Sequence, residues 1–171
     1  MEDQIINKVA NSPLKTFDLE NYYHSGERQT LDIAPWLFNG IILKEKDFRH
    51  FVKEHDWPAY EDKNVAIACS VDAIIPNWAY MLVAINLEPY VNMLSYGDLS
   101  DLENALFMQA LGKVDLEEFK DAKIVVKGCG KYPVPQFAYV EITRLLRPIA
   151  SSIMFGEPCS TVPLYKRKNI K

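Results

Sequence analysis

The sequence predicts an α/β or α+β protein in which a mixed sheet is covered by helices on at least one face. The first observation is that residues 43–98 resemble residues 102–157 at one constant offset, the repeat offset, which is the separation between Pro76 and Pro135. A fixed period of this length is typical of two supersecondary units that bury their apolar faces together. The second observation is that short β-branched segments alternate with helical patterns in both copies. We therefore predict two tandem helix–strand–helix repeats.

Residues 1–42 precede the repeat, and we expect them to form a β-rich extension. Residues 16–22 and 29–33 have the composition of two strands, and the polar residues 24–28 lie between them. This pattern predicts an N-terminal β-hairpin. Residues 37–43 predict one further strand.

Each copy of the repeat then begins with a helix. In the first copy it is predicted over residues 44–54, with Phe48 and Val52 on one face. In the second copy Ser100 and Glu103 match the Ser-x-x-Glu pattern of a capping box, which predicts a helix that starts there.

A short apolar strand follows in each copy, at residues 64–69 and 123–128. Its apolar character with little alternation predicts a central place in the sheet. A second helix is predicted over residues 76–88 and 135–147, each lying between two prolines, because proline is tolerated at a helix start and breaks a helix interior.

A last apolar turn ends each copy at Gly97 or Gly156, which we interpret as a C-terminal cap. Residues 160–165 predict an edge strand, since they include Pro163. The expected organisation is one domain over 1–171, with the extension 1–42, the copies 43–98 and 102–157, and a C-terminal strand with a basic tail over 158–171.

The second helix differs in polarity between the copies. In the first copy residues 78–85 are apolar all round, whereas the matching helix carries Glu141, Arg144 and Arg147. A helix that is apolar all round is buried in a core or at an oligomer interface. We expect the interface, and hence a homodimer formed through residues 78–91.

Composition and charge exclude several classes of partner. The net charge of −4 argues against a nucleic-acid partner, and the basic tail that begins at Lys166 is expected to be solvated. The uncharged run over residues 73–87 is shorter than the roughly 20 residues that a membrane helix needs. No signal pattern follows Met1, and the three cysteines then indicate reduced thiols in a cytoplasmic protein.

The three cysteines are the main candidate site. Cys69 and Cys129 each lie at the carboxyl end of a predicted strand, and Cys159 lies in a loop. Together they could ligate zinc or an iron–sulfur cluster with a fourth ligand from elsewhere. Two alternatives stay open, since no Cys-x-x-Cys motif is present: buried, inert cysteines, or a reactive thiol.

Other candidate residues are weaker. His50 and Glu54 stand four apart on a helix with Asp47 nearby, which suits either a metal ion or a solvated face. Asp62 and Asp121, which recur before the strands, are typical of turns. His24 could titrate in its loop, and Tyr80 and Tyr139 are interpreted as core aromatics. No acid–base pair and no nucleophile with its base can be located, so a hydrolase or transferase ranks third among the possible functions.

Residues 38–49, 73–83 and 153–166 resemble an uncharacterised bacterial family, domain-of-unknown-function family twenty-four eighty. The run from Gly156 to Lys166, Gly-Glu-Pro-Cys-Ser-Thr-Val-Pro-Leu-Tyr-Lys, is its most specific part. The resemblance spans nearly the whole chain. It implies an association with the sulfur-mobilisation machinery that builds iron–sulfur clusters, because members are encoded beside it.

Two hypotheses of different class follow. In the first, the protein is an accessory factor for iron–sulfur cluster assembly or for metal and sulfur handling, with Cys69, Cys129 and Cys159 as ligands or sulfur acceptors and iron–sulfur assembly proteins as partners. In the second, it is a non-enzymatic homodimeric interaction or structural module whose cysteines are buried and inert.

Overall fold

A computed structural model describes residues 14–157 and 159–168. Contacts within the chain divide the described residues into two compact units. Unit 1 contains those up to Tyr23 and from Phe107 onward, and unit 2 is His24–Leu106. The strands are β1 (Leu14–Asp18), β2 (Arg28–Asp32), β3 (Asn64–Ala68), β4 (Met93–Tyr96), β5 (Lys123–Lys127), β6 (Ser152–Glu157) and β7 (Ser160–Lys166). The helices are α1 (Glu45–Glu54), α2 (Asn77–Leu87), α3 (Leu99–Leu111) and α4 (Gln136–Leu146).

Unit 2 is built on a parallel sheet in the order β2-β3-β4. Helices α1 and α2 connect these parallel strands, and the usual right-handed crossover would place both on one face of the sheet. Their apolar residues share one core with those of β2 and β3, including Phe48 from α1 and Val83 from α2. In a second cluster, Ala66 of β3 packs with Leu102 and Leu106 from the first half of α3. Both faces of this sheet are therefore covered.

Unit 1 is built on a sheet in the order β1-β5-β6-β7. The first three strands are parallel, and β7 returns antiparallel along β6. The core of this unit joins Phe17 of β1, Ile124 of β5 and Ile153 of β6 with Phe107 of α3 and Ile142 of α4. An α/β fold is confirmed, with four helices and seven strands in the described residues.

The predicted N-terminal hairpin is wrong. β1 pairs in parallel with β5, and β2 pairs in parallel with β3, so the two strands lie in different sheets. The chain leaves unit 1 after β1, forms unit 2 and enters unit 1 again within α3. Instead of the expected single mixed sheet, the described residues form two sheets, of which only that of unit 1 is mixed.

Two further expectations about local structure are corrected. Residues 37–43 form no strand: Phe38 and Ile42 make an isolated bridge around a turn in which Asn39 has a φ of 51° and Gly40 a φ of 74°. The apolar turns before Gly97 and Gly156 are instead strands β4 and β6. Each copy is therefore helix–strand–helix–strand.

The start of α3 also differs from the expected capping box at Ser100. The Asp98 carboxylate accepts hydrogen bonds from the backbone amides of Ser100, at 2.7 Å, and Asp101, at 3.0 Å. Asp101 returns the interaction by accepting from the Asp98 amide at 3.0 Å. An aspartate pair thus performs the capping two residues earlier, and Glu103 is left to pair with Arg28.

Elements of the two copies match in position. The bounds of β3 and β5 are separated by the repeat offset, and so are those of α2 and α4. Two statements stay predictions. One is that the chain consists of two tandem repeats, and the other is that it forms a single domain with an N-terminal extension and a C-terminal tail. Within the described residues, no helix has both the length and the apolar character needed to span a membrane.

Candidate functional site

The loops that follow the central strands hold the candidate chemistry, at the sheet edge where parallel α/β proteins usually bind ligands. In unit 1 the loop after β5 begins Gly128-Cys129-Gly130, and the Cys129 side chain is exposed. In unit 2 the loop after β3 begins Cys69-Ser70-Val71, and Cys69 is half-buried.

The Cys129 loop is held by the carboxylate of a residue that is distant in the sequence, Glu20. Glu20, in the 3-10 helix that follows β1, accepts hydrogen bonds from the backbone amides of Gly130 and of Lys131, the latter at 3.0 Å. A Cβ on Gly130 would lie 2.8 Å from a Glu20 carboxylate oxygen, so glycine allows this close approach. Glu20 thus binds two consecutive backbone amides of the loop.

Tyr139 of α4 supplies the polar neighbour of the thiol. Its hydroxyl oxygen lies 3.5 Å from the Cys129 sulfur. Burial raises the pKa of Tyr139, and its contact with Cys129 and the charges of Glu20 and Asp18 raise it further. The phenol therefore keeps its proton at neutral pH and can donate a hydrogen bond to a sulfur anion.

A small polar cleft lies on one side of Cys129. Lys127 Nζ lies 3.3 Å from Asp18 Oδ2 and 3.6 Å from Glu157 Oε1. These contacts raise the pKa of Lys127, with the Asp18 hydrogen bond as the largest cause. Together with Glu20 and Cys129 the three residues line a cleft of about 70 Å³. The cleft carries fixed charges of both signs.

Cys129 also lines an apolar groove. Its volume is about 330 Å³, and its polar side chains are Cys129, Tyr139 and Thr143. Thr143 donates its hydroxyl to the Tyr139 carbonyl at 2.7 Å, so that group is already used. The remaining walls come from Val126, Phe155, Val162 and Leu164. Cys129 thus stands at the mouth of an apolar groove and beside a charged cleft.

Cys159 lies at the same edge of the unit 1 sheet. It is exposed and belongs to the turn between β6 and β7. Because β5 and β6 are parallel, their carboxyl ends meet at one edge, and Glu157 of β6 lines the cleft beside Cys129. Two exposed thiols are therefore presented on one side of unit 1.

Unit 2 has a different arrangement at the matching positions. Ser70, which the repeat aligns with Cys129, donates its hydroxyl to Asp32 Oδ2 at 2.6 Å and its amide to Oδ1 at 3.0 Å. Burial alone would raise the pKa of Asp32, but hydrogen bonds from Ser70 and the Ala34 amide outweigh it and lower the pKa. Cys69 donates to the Val71 carbonyl at 3.5 Å. The polar groups of Ser70 and Cys69 at this edge are therefore already hydrogen-bonded within unit 2.

The family described as "Protein of unknown function (DUF2480)" matches residues 3–167. The chain belongs to the DUF2480 family. No curated protein and no solved structure matches the chain. The resemblance expected from the motifs of this sequence is therefore confirmed, and membership in DUF2480 by itself assigns no activity.

The structure places the predicted metal ligands of this DUF2480 protein in different settings. Cys69 belongs to unit 2, whereas Cys129 and Cys159 belong to unit 1. Within residues 14–157 and 159–168, no group of three or more His, Cys, Asp or Glu side chains could hold a metal ion. That statement also covers the His50, Glu54 and Asp47 face. A site shared by the three cysteines stays a prediction.

The weaker candidates have structural roles. Asp62 and Asp121 have φ values of 61° and 55°, as expected of turn residues that adopt the left-handed conformation. His24 accepts from the Gly26 amide at 3.1 Å and contacts the Asn64 side chain at 3.1 Å, which orders its loop. Tyr139, interpreted from the sequence as a core aromatic, packs partly buried against the core of unit 1 and also lines the groove.

Sequence reasoning missed the groups that surround Cys129, namely Asp18, Glu20 and Lys127. The sequence did contain a signal for Asp18. The segments Thr16-Phe-Asp-Leu19 and Thr30-Leu-Asp-Ile33 are alike, and in each the aspartate accepts from the amide two residues later, at 3.0 Å. Their likeness marks two equivalent strands, one for each sheet.

Proposed function

We propose that this DUF2480 protein acts in sulfur handling, with Cys129 as the acceptor of sulfur from a persulfide-bearing protein of iron–sulfur assembly. The observation that carries the proposal is the exposed Cys129 thiol in a loop fixed by Glu20, 3.5 Å from the Tyr139 hydroxyl. An accessible cysteine beside a hydrogen-bond donor has the geometry that thiol exchange needs.

The reaction is an exchange between sulfur atoms. The Cys129 thiolate attacks the outer sulfur of the donor persulfide, the donor's S–S bond breaks, and the donor leaves as a thiolate. Cys129 then carries the persulfide, with the proton kept on its outer sulfur. The Tyr139 hydroxyl stabilises the anionic sulfur by donating a hydrogen bond. Sulfur leaves by the same exchange with a second thiol, for which Cys159 at the same sheet edge is the internal candidate.

This function needs fewer of the cysteines than a three-cysteine cluster does. The thiols are divided between the two units, with Cys69 in one and Cys129 and Cys159 in the other. The competing prediction that the cysteines are buried is wrong for Cys129 and Cys159, which are both exposed, whereas their inertness stays a prediction. A sulfur acceptor needs one accessible thiol and no third ligand.

The test is sulfur transfer from a cysteine desulfurase that has been charged with cysteine. Mass spectrometry of alkylated peptides should find one extra sulfur atom on Cys129. The Cys129→Ser variant should accept none at that position, and the matched Cys69→Ser variant should accept sulfur as the wild type does. Transfer to none of the cysteines, or equally to all three, would overturn the proposal.

A second arm separates sulfur transfer from cluster ligation. The wild type and a triple Cys→Ser variant are reconstituted anaerobically with iron and sulfide, and bound metal and visible absorbance are measured. The proposal expects equal metal in both proteins. Visible absorbance found only in the wild type would replace it with the predicted role of Cys69, Cys129 and Cys159 as cluster ligands.

A further inference from the structure

Strand β4 is a short outermost strand that carries neither a charged residue nor a proline. The outermost strands of the two sheets are β1, β2, β4 and β7. Native edge strands usually carry charged residues or proline, which discourage the addition of another strand. Lys15 lies in β1, Arg28 in β2, and Pro163 with Lys166 in β7, whereas β4 reads Met-Leu-Ser-Tyr. β4 is thus the one outermost strand in the described residues with neither device.

An exposed apolar surface continues from this edge onto α2. Met81 is 64% exposed, Ile85 is 69% exposed, and Tyr96 at the end of β4 is 70% exposed. Tyr96 packs edge-on against Tyr80, with ring centroids 5.1 Å apart. Tyr80, Met81 and Tyr96 line a groove of about 260 Å³ together with Leu94. Ile85 lies one helical turn after Met81 on the same face of α2. A contiguous apolar surface beside an open strand edge marks an interaction site.

Unit 1 shows what covers the matching surface there. β7 lies antiparallel on β6, and its Val162 and Leu164 form one wall of the groove beside α4. The exposed residues of α4 include an apolar one, Val140, and an ion pair in which Arg144 and Glu141 lie 2.6 Å apart. Among the residues that the structure describes, the sheet of unit 2 has no counterpart of β7, and the repeat aligns Ile85 with Arg144. In unit 2 the helix beside the uncovered groove, α2, has no charged residue, whereas α4 of unit 1 carries Glu141 and Arg144.

We infer that β4 and α2 form a homodimer interface in which β4 pairs antiparallel with β4 of a second copy. Two copies of one edge strand related by a two-fold axis run antiparallel, which is the direction that β7 takes along β6. The partner's β4 then takes the place that β7 has in unit 1. An axis perpendicular to the sheet leaves both α2 helices on one face, where Met81 and Ile85 of the two copies meet.

A second copy is the occupant that fits these observations. The edge and the helix face are uncharged, so they are self-complementary and need no partner of opposite charge. A four-residue strand forms too few hydrogen bonds to hold a dimer alone, and the contact between the α2 faces supplies the rest of the buried surface. The inference is independent of the chemistry of Cys129.

Sedimentation velocity and light scattering on the full chain test the dimer. The wild type should have twice the chain mass of 19.6 kDa at micromolar concentration. Met81→Glu and Ile85→Arg should each raise the dissociation constant by about a hundredfold, because each change occurs twice at a symmetric interface. Ile85→Arg places on α2 the residue type that α4 already carries at the matching position.

The matched control is Val140→Glu on α4, at the position that the repeat aligns with Met81, where the side chain is 70% exposed. This variant should remain a dimer, and far-UV circular dichroism should show all three variants folded. Hydrogen exchange of the β4 amides should slow as protein concentration rises. A monomeric wild type, a dimer indifferent to both α2 substitutions, or β4 exchange that is equal in monomer and dimer would each overturn the inference.

Discussion

Substitution of Gly128 with alanine measures how tightly the Cys129 loop is built. An ideal Cβ on residue 128 would lie 2.8 Å from the Tyr139 hydroxyl oxygen, 3.0 Å from Leu19 Cβ and 3.3 Å from Val134 Cγ2. The backbone of Gly128 lies outside the left-handed region that Gly97 occupies, with its φ of 116°. Alanine therefore introduces a steric effect without backbone strain.

The size of the effect follows from how little its neighbours can move. Ordinary contact starts at 3.4 Å, so the Tyr139 hydroxyl must retreat by 0.6 Å, the difference from 2.8 Å. The Tyr139 ring packs edge-on against Phe155 at 5.9 Å, and Leu19 is fully buried. Overpacking of this kind lowers the free energy of unfolding by about 1–3 kcal/mol. It also moves the Tyr139 hydroxyl relative to the Cys129 sulfur.

A double-mutant cycle isolates the cause. Tyr139→Phe removes the hydroxyl oxygen that the new methyl group meets, so Gly128→Ala should cost about 1 kcal/mol less in that background than in the wild type. The matched control is Cys69→Ala, at the equivalent position of the first copy, where the loop already holds a side chain. Cys69→Ala should lower the free energy of unfolding by less than Gly128→Ala does.

Urea denaturation followed by far-UV circular dichroism is the appropriate assay. The three tryptophans, Trp36, Trp57 and Trp78, all belong to unit 2, so their fluorescence does not report on unit 1 directly. The reasoning is refuted if Gly128→Ala lies within about 0.5 kcal/mol of the wild type, the usual range for surface changes. It also fails if Tyr139→Phe gives no relief.

Two other substitutions test the interior of unit 2. Glu103→Ala removes the carboxylate that pairs with Arg28, whose side chain is only 14% exposed and also donates to the Gly26 carbonyl. The free energy of unfolding should therefore fall by about 1–3 kcal/mol, and a loss near zero in urea denaturation would show that the pair is effectively solvated. Burial lowers the pKa of His55 below 6.5, against the opposing charge of Asp56. Unfolded chains then take up a proton that the folded state resists, so stability should decline as the pH falls below 6.5, and this slope should flatten in His55→Gln.

The regular elements with strong local signals could be predicted from the sequence. α2 and α4 lie between prolines that stop a helix, and β3 and β5 are apolar runs that neither helix period nor alternation describes. Strands β4 and β6 could not be predicted, because from sequence alone a short apolar segment before a glycine cannot be distinguished from a turn. The segment of β4 becomes a strand through its ladder with β3, a partner that is distant in the sequence.

The error about β1 and β2 has the same origin. Two short strands joined by a polar loop satisfy the local pattern of a hairpin, and local pattern contains no information on the partner. Each strand instead completes a parallel sheet in its own unit. The likeness of Thr16-Phe-Asp-Leu19 to Thr30-Leu-Asp-Ile33 was the available sign that the two strands are equivalent rather than paired.

The candidate site was half visible in the sequence. Cys129 could be placed at the carboxyl end of a strand, because its position depends on the β5 pattern alone. Glu20 could not be assigned to it, since 110 residues separate that side chain from the Gly130 amide it accepts from. The role of Lys127 as the partner of Asp18 and Glu157 likewise depends on strands that meet only in the folded sheet.

By itself the sequence determined the α/β class, the DUF2480 membership and the positions of the cysteines, because these follow from local periodicity, motif and residue identity. The tertiary structure alone decided that two sheets form, that two thiols are exposed at one edge, and that the edge of β4 stays open. The physical reason is that strand partners are chosen by burial and backbone hydrogen bonding between distant segments. Those contacts exist only after the chain has folded.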